Sequence, residues 1–532
     1  MPDPRDDIDN QPPRFADVDL FLTDRPLCEA VAANGAAGES DALTAFGRHW
    51  GRAAMFVRAA LADSHPPRLH GEAVRFHPAY HAFMAESMAA GLHCSTWNAD
   101  GSPAGAPAEV ARAARFYMVA QVENGHMCPI TMTRASVAAL SAQPELRAEL
   151  MPKIVSHAYD PAFAPWPKKS AMTLGMGMTE KQGGTDVRTN TTQAVRDGEA
   201  YRITGHKWFM SAPMSDAFLV LAQAPDGLTC FFMPRFRPDD RLNGLHFQKL
   251  KDKLGNRSNA SSEVEFLDAY ARRVGDEGRG IRTIIQMVQL TRLDCAISSA
   301  GLMRAALSRA LHHARHRVVF QRKLADQPMM RTVLADLALD CEAAVAVVMR
   351  LCRSFDQAFS DPLERARSRM LTPAVKYWVC KTAPAFVYEA MECLGGNGYV
   401  EDHVLARLYR EAPVNAIWEG SGNVMALDLL RSFKDADEEG AVLASLKDET
   451  RGLPEAESAL ADIGLMLKAQ DAEANGRRIA GTLAILAAAA ALQSTAPEIA
   501  SEFARTRLRG GSRLYGTPPG NAKRLLERAA PA

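Results

Sequence analysis

The stretch Met176-Gly-Met-Thr-Glu-Lys-Gln-Gly-Gly-Thr-Asp-Val187 lies where a helical N-terminal third gives way to β-patterned sequence. It is rich in glycine and hydroxyl residues and contains no proline. The pair Gly183-Gly184 allows the backbone to approach a bound group closely. Thr179 and Thr185 offer hydroxyls on either side for hydrogen bonds. On composition alone a tight surface loop between strands is the simpler interpretation, so the rest of the chain has to decide its function.

The length and composition are those of a folded protein with several cores. At 532 residues the chain suggests roughly three or four domains. Hydrophobic residues make up 47% and charged residues 23%, the ordinary mix of a globular protein. Because the net charge is zero, any basic surface must be offset elsewhere in the chain. The nine scattered cysteines, without a Cys-x-x-Cys pair, argue against a zinc site or disulfides and predict reduced thiols in the cytoplasm.

The ends and the most apolar run give no sign of a membrane. The N-terminus is acidic and proline-rich, unlike a secretion signal or a transit peptide. The run Ile479 to Leu492 has 14 residues, whereas a membrane span needs about 20. We therefore predict a buried helix there, and no membrane as a partner.

Periodicity predicts a mainly α protein with a central antiparallel β domain. Two hairpin signals, Asp197-Gly198 and Asp226-Gly227, stand between β-patterned segments, whereas the flanking regions have helical spacing. The predicted domains are an N-terminal arm (1–40), a helical domain (41–170), the β domain (171–275), a helical bundle (276–432) and a C-terminal helical domain (433–532).

The C-terminal region is strongly polarised in charge. Between Lys434 and Glu473 eleven acids stand against four bases, whereas from Ser501 to the end seven bases stand against two acids. The neutral total therefore hides an acidic segment followed by a basic tail.

Two motifs resemble those of the acyl-CoA dehydrogenases. Glu180, Gly183, Gly184 and Asp186 stand in the order of that family's flavin loop, and Ile417-Trp-Glu-Gly-Ser-Gly-Asn423 resembles a second family motif far downstream. The resemblance covers about residues 41–432. It implies an α domain, a β-barrel and a four-helix bundle, with FAD as cofactor and a homotetramer as the assembly.

Within that family the chain looks most like the AidB branch of alkylation-response flavoproteins. The signs are the Gln182-Gly183-Gly184 form of the loop, the Trp418–Asn423 motif, the N-terminal arm and the additional C-terminal domain. The branch implies double-stranded DNA as a partner and a dehydrogenase activity that is weak.

The family's reaction removes an α-proton and a β-hydride from an acyl thioester. It needs one positioned carboxylate and one flavin, and Glu419 matches that carboxylate. The resemblance implies that the backbone N–H of Glu419 and a flavin ribityl hydroxyl hold the thioester carbonyl. Burial beside flavin and acyl chain should raise the Glu419 pKa. The implied partners are an acyl-CoA and, as electron acceptor, an electron-transfer flavoprotein.

The resemblance also assigns contacts to individual residues. Thr185 replaces a serine, Phe209 replaces the family's usual tryptophan, and Glu392 stands where the family commonly has glutamine. The expected cofactor contacts are Met176, Gly177, Met178, Thr179, Gly183, Gly184, Thr185, Phe209, Met210, Ser211, Arg317, Phe320, Gly395, Gly396, Ile417, Trp418, Ser421 and Asn423. Arg317 and Phe320 would reach the cofactor of a neighbouring subunit.

Four residues are expected at the substrate: Thr179, Ser211, Arg292 and Arg431. Of these, Arg292 matches a family arginine that helps to hold the active-site region. Arg431 lies about three helical turns beyond Glu419 if a helix follows Gly420, although a solvated helix end explains it as well. His312 and His316 have the spacing of metal ligands. Because nothing acidic or thiol-bearing completes a set nearby, we predict no metal site.

The basic tail is the second functional candidate. Thr495-Ala-Pro-Glu498 resembles a capping box, which predicts a helix running to Gly510-Gly511. The predicted DNA contacts are Arg505, Arg507, Arg509, Arg513, Lys523, Arg524 and Arg528, binding phosphates without sequence preference. The alternative is a solvated face neutralised by the acids of Lys434 to Glu473. The alternative hypothesis for the function of the whole chain is a metabolic acyl-CoA dehydrogenase or oxidase that does not bind DNA.

Overall fold

The computed structural model describes residues 10–433, 436–510 and 514–530, without the side chains of 436–439. The chain forms two compact units. The helical unit comprises 1–57, 105–122 and 292–532, and the barrel unit comprises 58–104 and 123–291.

The helices and strands alternate in three broad blocks. The helices are α1 (Arg25–Val31), α2 (Ser40–Trp50), α3 (Ala53–Ser64), α4 (Pro78–Ala89), α5 (Ala108–Ala120), α6 (Met127–Leu140), α7 (Pro144–Ile154), α8 (Gly280–His316), α9 (Pro328–Gln357), α10 (Pro362–Glu392), α11 (Gly396–Tyr399), α12 (Val404–Glu411), α13 (Gly422–Ser432), α14 (Ala436–Glu449), α15 (Ala456–Lys468), α16 (Gly476–Thr495), α17 (Pro497–Arg507) and α18 (Ala522–Ala529). The strands are β1 (Arg68–His70), β2 (Ala73–Arg75), β3 (Leu174–Gly177), β4 (Gln193–Asp197), β5 (Ala200–Ser211), β6 (Ala217–Ala224), β7 (Gly227–Pro234), β8 (Leu245–Leu250), β9 (Ser261–Val274), β10 (Val318–Val319) and β11 (Arg322–Lys323).

The strands of the barrel unit pair in a closed circuit. β4 pairs β5, β5 pairs β9, β9 pairs β7, β7 pairs β6, and β6 returns to β4. Alternate side chains of these strands, such as Ile203, Phe218, Phe231 and Phe266, are fully buried in one apolar core. Closure leaves few unpaired edges, and β8 and β3 are added on β9 and β6.

Both predicted hairpins are confirmed, but the sheet is mixed and not purely antiparallel. The turns at Asp197-Gly198 and Asp226-Gly227 join β4 to β5 and β6 to β7. Two described pairings are parallel: β3 pairs β6 from Leu174↔Ala217 to Gly177↔Val220, and β4 pairs β6 at Gln193↔Gln223. β3 enters from the helical segment before it, so no hairpin turn reverses its direction relative to β6.

The helical unit is built on α9, α10 and the part of α8 from residue 292 onward. α16 packs against α9, α10 and α13, and twelve of its residues are buried. The C-terminal region predicted to begin at residue 433 therefore does not stand apart, because its central helix completes the core of the bundle. Burial of the run Ile479 to Leu492 is confirmed.

One described helix, Gly476–Thr495, is long and apolar enough to cross a membrane by composition alone. Its mean hydropathy is 1.2, and 61% of the tested stretch is buried inside the protein. This is the pattern of a core helix, since its apolar surface is already covered by neighbouring helices.

The predicted N-terminal arm is wrong in its second half. α1 packs on α9, and Leu27, Ala30 and Val31 are fully buried. Asp24 caps α1 by accepting from the backbone N–H of Leu27. This segment is part of the helical unit's own core and needs no neighbouring subunit to order it.

The predicted capping box at α17 is also wrong. The residue before α17 is Ala496, with no side-chain cap, while the Thr495 hydroxyl donates to the carbonyl of Leu492 at the end of α16. Thr495 thus closes the preceding helix instead of starting the next. α17 ends at Arg507, before the predicted Gly510.

Candidate active site

The loop after β3 is anchored by a buried ion pair. Glu180 and Lys207 have fully buried side chains, with 2.8 Å between the Glu180 Oε1 and the Lys207 Nζ. The same carboxylate accepts from the backbone N–H and hydroxyl of Thr191, at 2.7 and 3.0 Å. Lys207 also donates to the carbonyl of Leu221 at 2.8 Å. The glutamate of the motif is therefore a structural anchor.

The anchor is ionised at neutral pH. Burial alone would raise the pKa of the Glu180 carboxyl, but Lys207 and the N–H of Thr191 lower it to about 2. Burial lowers the pKa of Lys207 to about 8, against the opposing effect of Glu180. The carboxylate thus keeps its charge throughout the physiological range.

The two glycines of the loop are required for different reasons. Gly183 has φ +151°, in the region that favours glycine, and exchanges backbone hydrogen bonds with Glu180 across a tight turn. A Cβ on Gly184 would lie 2.3 Å from the Thr179 hydroxyl oxygen, so only glycine fits there. Gly184 and Thr185 are exposed, which leaves this backbone accessible to a ligand.

The end of β5 carries the next predicted contacts, and the structure separates them. Phe209 is 52% exposed, and the Ser211 hydroxyl lies 3.0 Å from that of Ser261. Met210 does not fit the predicted contact, because the whole residue is buried in the barrel core and its carbonyl accepts from the hydroxyl of Ser262 at 2.9 Å. Alternation along a strand turns neighbouring side chains to opposite faces, which explains the difference.

The groups exposed on the barrel unit have the chemistry needed to bind a flavin. An exposed aromatic ring, a neighbouring hydroxyl and a glycine loop with exposed backbone are the groups that stack on an isoalloxazine and bind phosphate. Met176 and Gly177 are buried in β3, and the carbonyl of Met178 accepts from Asn190 at 3.0 Å. The carbonyl of Thr179 accepts from the N–H of Trp208 at 2.8 Å, which ties the loop to β5.

In the helical unit, Glu419 sits on a strained backbone held by two buried cations. Its φ is +58°, which costs a non-glycine residue roughly 1–2 kcal/mol. Lys376 donates to the carbonyls of Trp418 and Gly420 at 2.9 and 2.8 Å. Arg292 donates to the carbonyl of Glu419 itself at 3.0 Å and pairs with Asp428 at 2.5 Å. Three consecutive carbonyls are thereby fixed.

The rest of that motif divides into anchored and exposed residues. The Trp418 indole N–H donates to Asn415 at 3.0 Å, whereas Ile417 is 65% exposed. Ser421 and Asn423 are exposed at the start of α13, and Arg477 of α16 donates to the Asn423 side chain. The exposed members are accessible to a ligand, as their expected role requires.

Two further predicted cofactor segments lie on the surface of the helical unit. Phe320 is 89% exposed at the tip of the β10–β11 hairpin, where it and Gln321 both have positive φ. Arg317 donates to the carbonyl of Asn10 at 3.0 Å. Gly395 and Gly396 are exposed, and a Cβ at either would meet nothing within 4 Å.

The two arginines expected at the substrate differ. Arg292 is only 4% exposed and is committed to Glu419 and Asp428, so it holds the motif and is not available for a substrate charge. Arg431 is exposed in the last turn of α13. That position is also where a cation complements the helix dipole.

Two arginines of the basic tail form buried ion pairs within the protein, which the sequence did not indicate. Arg507 pairs with Asp336 and Asp340 and is largely buried, and Arg528 pairs with Glu29 and Glu342 at 4% side-chain exposure. The predicted DNA contacts of Arg507 and Arg528 are therefore wrong, because binding a phosphate instead would leave their buried carboxylate partners unpaired.

The remaining tail cations lie at the surface, each beside one acid. Their partners are Glu502 for Arg505, Glu455 for Arg509, Glu527 for Lys523 and Glu498 for Arg524. Arg509 and Lys523 have side-chain exposures of 72% and 87%. Arg513 lies outside the described residues. Of these described pairs, only that of Arg509 uses the acidic segment Lys434 to Glu473.

The histidines at metal-ligand spacing are engaged with backbone. The Nε2 of His312 lies 2.7 Å from the carbonyl of Pro13, and the Nδ1 of His316 lies 2.8 Å from that of His312. Within the described residues, no group of three or more histidine, cysteine or acidic side chains is placed to hold a metal.

Sequence reasoning missed the residues that position the two motifs. Lys207 stands two residues before Phe209, and Lys376 stands in the middle of α10. For Lys376, a lysine in an otherwise apolar helical stretch is the available signal, since burial of its charge demands oxygen partners. Lys207 lies in strand β5, where no comparable signal marks it.

The sequence matches three families in order along the chain. Residues 10–161 match the adaptive response protein AidB N-terminal domain, 175–269 the acyl-CoA dehydrogenase middle domain, and 278–433 the acyl-CoA dehydrogenase C-terminal domain. The chain is 44% identical over 520 residues to the putative acyl-CoA dehydrogenase AidB of Escherichia coli, covering 95% of each chain. It is 36% identical to acyl-CoA dehydrogenase family member 11 of Caenorhabditis elegans, covering 58% of this chain and 51% of that one.

Solved structures agree over almost the whole chain. The structure of Caenorhabditis elegans ACDH-11 in complex with C11-CoA superposes with a TM-score of 0.82 at 27% identity, covering 92% of this chain and 90% of that chain. The apo form of Bd2924 gives the same TM-score at 26% identity, covering 91% and 99%. The likeness extends to the C-terminal helices, since the catalytic domains alone would leave about the last hundred residues uncovered.

Proposed function

Because the chain belongs to the acyl-CoA dehydrogenase family, and within it to the AidB branch, we propose that it oxidises the Cα–Cβ bond of an acyl-CoA with Glu419 as the base. The single observation that carries the role of Glu419 is its backbone. A left-handed glutamate with its own carbonyl and both neighbouring ones held by Lys376 and Arg292 is costly, and such cost is typical of functional positions.

FAD is the cofactor, and it supplies the acceptor for the β-hydride. The carboxylate of Glu419 takes the α-proton, so one C–H bond loses a proton, the other loses a hydride, and a C=C bond forms. Lys376 and Arg292 act by fixing the backbone from which that carboxylate projects. In the barrel unit, the exposed Phe209 ring and the Gly183-Gly184 backbone would hold the flavin.

An acyl-CoA is the proposed substrate. The relative in complex with C11-CoA has the same fold over 92% of this chain, which supports a thioester of coenzyme A here. The electrons would pass to an electron-transfer flavoprotein. We also propose a cytoplasmic location, which the nine free cysteines support.

Anaerobic flavin bleaching tests the proposal directly. We expect some member of an acyl-CoA panel to reduce the bound flavin of the parent protein. Glu419→Gln should retain FAD but reduce flavin about 10²–10⁴-fold more slowly. Glu401→Gln, at an exposed carboxylate of the same unit, is the matched control. Equal bleaching in parent and Glu419→Gln would remove Glu419 from the chemistry. Rapid peroxide formation in air would favour the oxidase alternative.

The proposed assembly is a homotetramer. Phe320 supports it, because its ring is 89% exposed at the tip of the β10–β11 hairpin and is therefore accessible to the cofactor of a neighbouring subunit. Light scattering should give four subunits with four flavins. A flavin-loaded monomer would contradict the assignment of Arg317 and Phe320 to a neighbour's cofactor.

Binding of double-stranded DNA in an alkylation response is the second proposed function. It is favoured by the match to the AidB N-terminal domain and by the exposed cations Arg505, Arg509, Lys523 and Arg524. Each of the four has a nearby acid, so the affinity must come from several weak phosphate contacts.

The salt dependence of duplex binding tests this second function. Replacing Arg505, Arg509 and Lys523 together by alanine should weaken all duplexes alike and lower the salt slope by up to about three. The control replaces Arg196, Arg241 and Lys168, exposed cations of the barrel unit, by alanine. Unchanged binding of the first triple variant at every salt concentration would place the DNA surface elsewhere.

A further inference from the structure

Ser211 and Ser261 form a hydroxyl pair at the end of the barrel. Ser211 ends β5, Ser261 begins β9, and the two residues are register partners. Their Oγ atoms lie 3.0 Å apart, and Ser261 is only 5% exposed while Ser211 is partly exposed. Either hydroxyl is able to donate in an isolated pair, so the direction depends on a third group.

Lys253 is that third group. Its ammonium lies 2.7 Å from the carbonyl of Asn259, 3.3 Å from the Ser261 Oγ and 3.5 Å from the Asn256 Oδ1. An ammonium donates and never accepts, so the Ser261 oxygen has to be the acceptor in that contact. Because Lys253 occupies one lone pair of that oxygen, donation from Ser261 to Ser211 is favoured, and the proton of Ser211 then points outward.

The loop that carries Lys253 is built to hold its position. The side-chain amide of Asn259 donates to Asn256 at 2.9 Å, and its backbone N–H donates to the Asn256 carbonyl at 3.2 Å. Asn256 has φ +54°, a conformation that asparagine tolerates better than most residues. The Ser258 hydroxyl donates to the buried Glu123 at 2.5 Å. The lysine therefore projects from an ordered turn.

We propose that Lys253, acting through Ser261, fixes the hydroxyl of Ser211 as a hydrogen-bond donor toward the bound flavin. This rests on the proposed function, since it takes the exposed Phe209 and Ser211 as the flavin's neighbours. The edge of an isoalloxazine carries ring nitrogens and carbonyl oxygens that accept hydrogen bonds. A serine preset as a donor suits such an edge without first reorienting. Lys253 and Ser261 are thus positioning residues.

A double-mutant cycle tests the relay, with FAD dissociation constant and flavin midpoint potential as readouts. Ser211→Ala should weaken FAD binding about 3- to 10-fold, the value of one neutral hydrogen bond. Ser261→Ala and Lys253→Met should each weaken it about 2- to 5-fold and shift the potential in the same direction as Ser211→Ala. Lys249→Met, at an exposed lysine four residues earlier, is the control for loss of charge.

The decisive comparison is made in the Ser211→Ala background. There, adding Ser261→Ala or Lys253→Met should change the FAD dissociation constant by no more than about 1.5-fold and should leave the flavin midpoint potential where Ser211→Ala put it. The reason is that Ser211 no longer connects these residues to the flavin. Equal effects in both backgrounds would overturn the relay and leave the proposed function intact. A parent protein that binds no FAD would overturn the proposed function itself. Should Lys253→Met not fold, Ser261→Ala alone completes the cycle.

Discussion

The flavin loop and the Glu419 loop are held in opposite ways. In the barrel unit, one buried carboxylate within the motif, Glu180, collects an ammonium, an N–H and a hydroxyl. In the helical unit, two cations outside the motif, Lys376 and Arg292, collect three consecutive carbonyls. The first loop is fixed by its own side chain, and the second is fixed by its backbone.

Under the proposed function, the difference follows from what each loop has to leave accessible. The first presents backbone and hydroxyls, so its acidic side chain is available for structural use. The second presents its carboxylate, so its anchor has to be backbone, and the donors have to come from neighbouring helices. Each loop therefore buries the group that its chemistry does not need.

The largest effect should come from breaking the buried pair of the first loop. Glu180→Gln leaves the Lys207 charge without its partner, which should lower the free energy of unfolding by about 3–5 kcal/mol. Denaturant unfolding of the barrel unit measures it, with the exposed Glu199→Gln as control. Adding Lys207→Met to Glu180→Gln should recover part of the loss, since no unpaired charge then remains. A Glu180→Gln protein as stable as the parent would mean that Lys207 is satisfied without it.

Acid should distinguish the two loops. The pKa of Glu180 is lowered to about 2, so its stabilising effect is complete above the unfolded value near 4.5 and is lost as pH falls toward 2. The loss amounts to about 3 kcal/mol. Stability measured between pH 5 and 2 should therefore fall less steeply in Glu180→Gln than in the parent.

The stability of Glu180→Gln should still depend on acid, because a second carboxylate, that of Glu123, also has a lowered pKa. Burial would raise the pKa of Glu123, but His126 and Ser258 lower it to about 2, and this contribution stays in the variant. Lys376→Met should keep the acid dependence of the parent, because it leaves both Glu180 and Glu123 with their partners. Identical pH profiles for the parent and Glu180→Gln would contradict the assignment.

Replacing Lys376, the lysine of α10 that holds the second loop, should lower the free energy of unfolding less than Glu180→Gln does. It should slow catalysis more. Lys376→Met leaves the carbonyls of Trp418 and Gly420 without their donor, at about 2–3 kcal/mol together. The left-handed Glu419 should then relax, and flavin reduction should slow while FAD content is retained. Lys381→Met, at an exposed lysine of the same helix, is the control. Normal reduction kinetics in Lys376→Met would show that the clamp is dispensable.

The smallest expected effect separates the two glycines of the first loop. Gly184→Ala puts a methyl group against Thr179 and should cost about 1–2 kcal/mol, which Thr179→Ala in the same chain should relieve. Gly183→Ala meets no atom within 4 Å but retains the strain of φ +151°, so Thr179→Ala should not rescue it. Unfolding midpoints of the four variants decide. Rescue of both glycine variants would erase the distinction.

The sequence predicted the order of the blocks and both barrel hairpins because periodicity and turn residues are local signals. It also identified the two loops through their motifs. It did not find Lys207, Lys376 or Lys253, because each acts on residues far away in the chain. Spacing along a sequence says nothing of such contacts until the fold brings them together.

The basic tail shows the same limit from another side. Seven cations on a short segment suggest a single basic surface, but in the structure Arg507 and Arg528 form ion pairs with acids on α1 and α9. Nothing local to the tail distinguishes these two from Arg509 or Lys523. The distinction depends on which residues of α17 and α18 face the bundle, and the helix register fixes that only once the helices are docked.

Arg528 also sets an order on the synthesis of the chain. It bonds Glu29, which lies 499 residues earlier, and the next carbonyl, that of Ala529, accepts from Arg304 at 2.7 Å. Helix α1 leaves the ribosome well before α18, so its acid meets this partner only after residue 528 has emerged. N-terminal segments generally fold during translation. In a nascent chain of this protein, the contact between α1 and α18 therefore stays open long after the rest of α1 is able to fold.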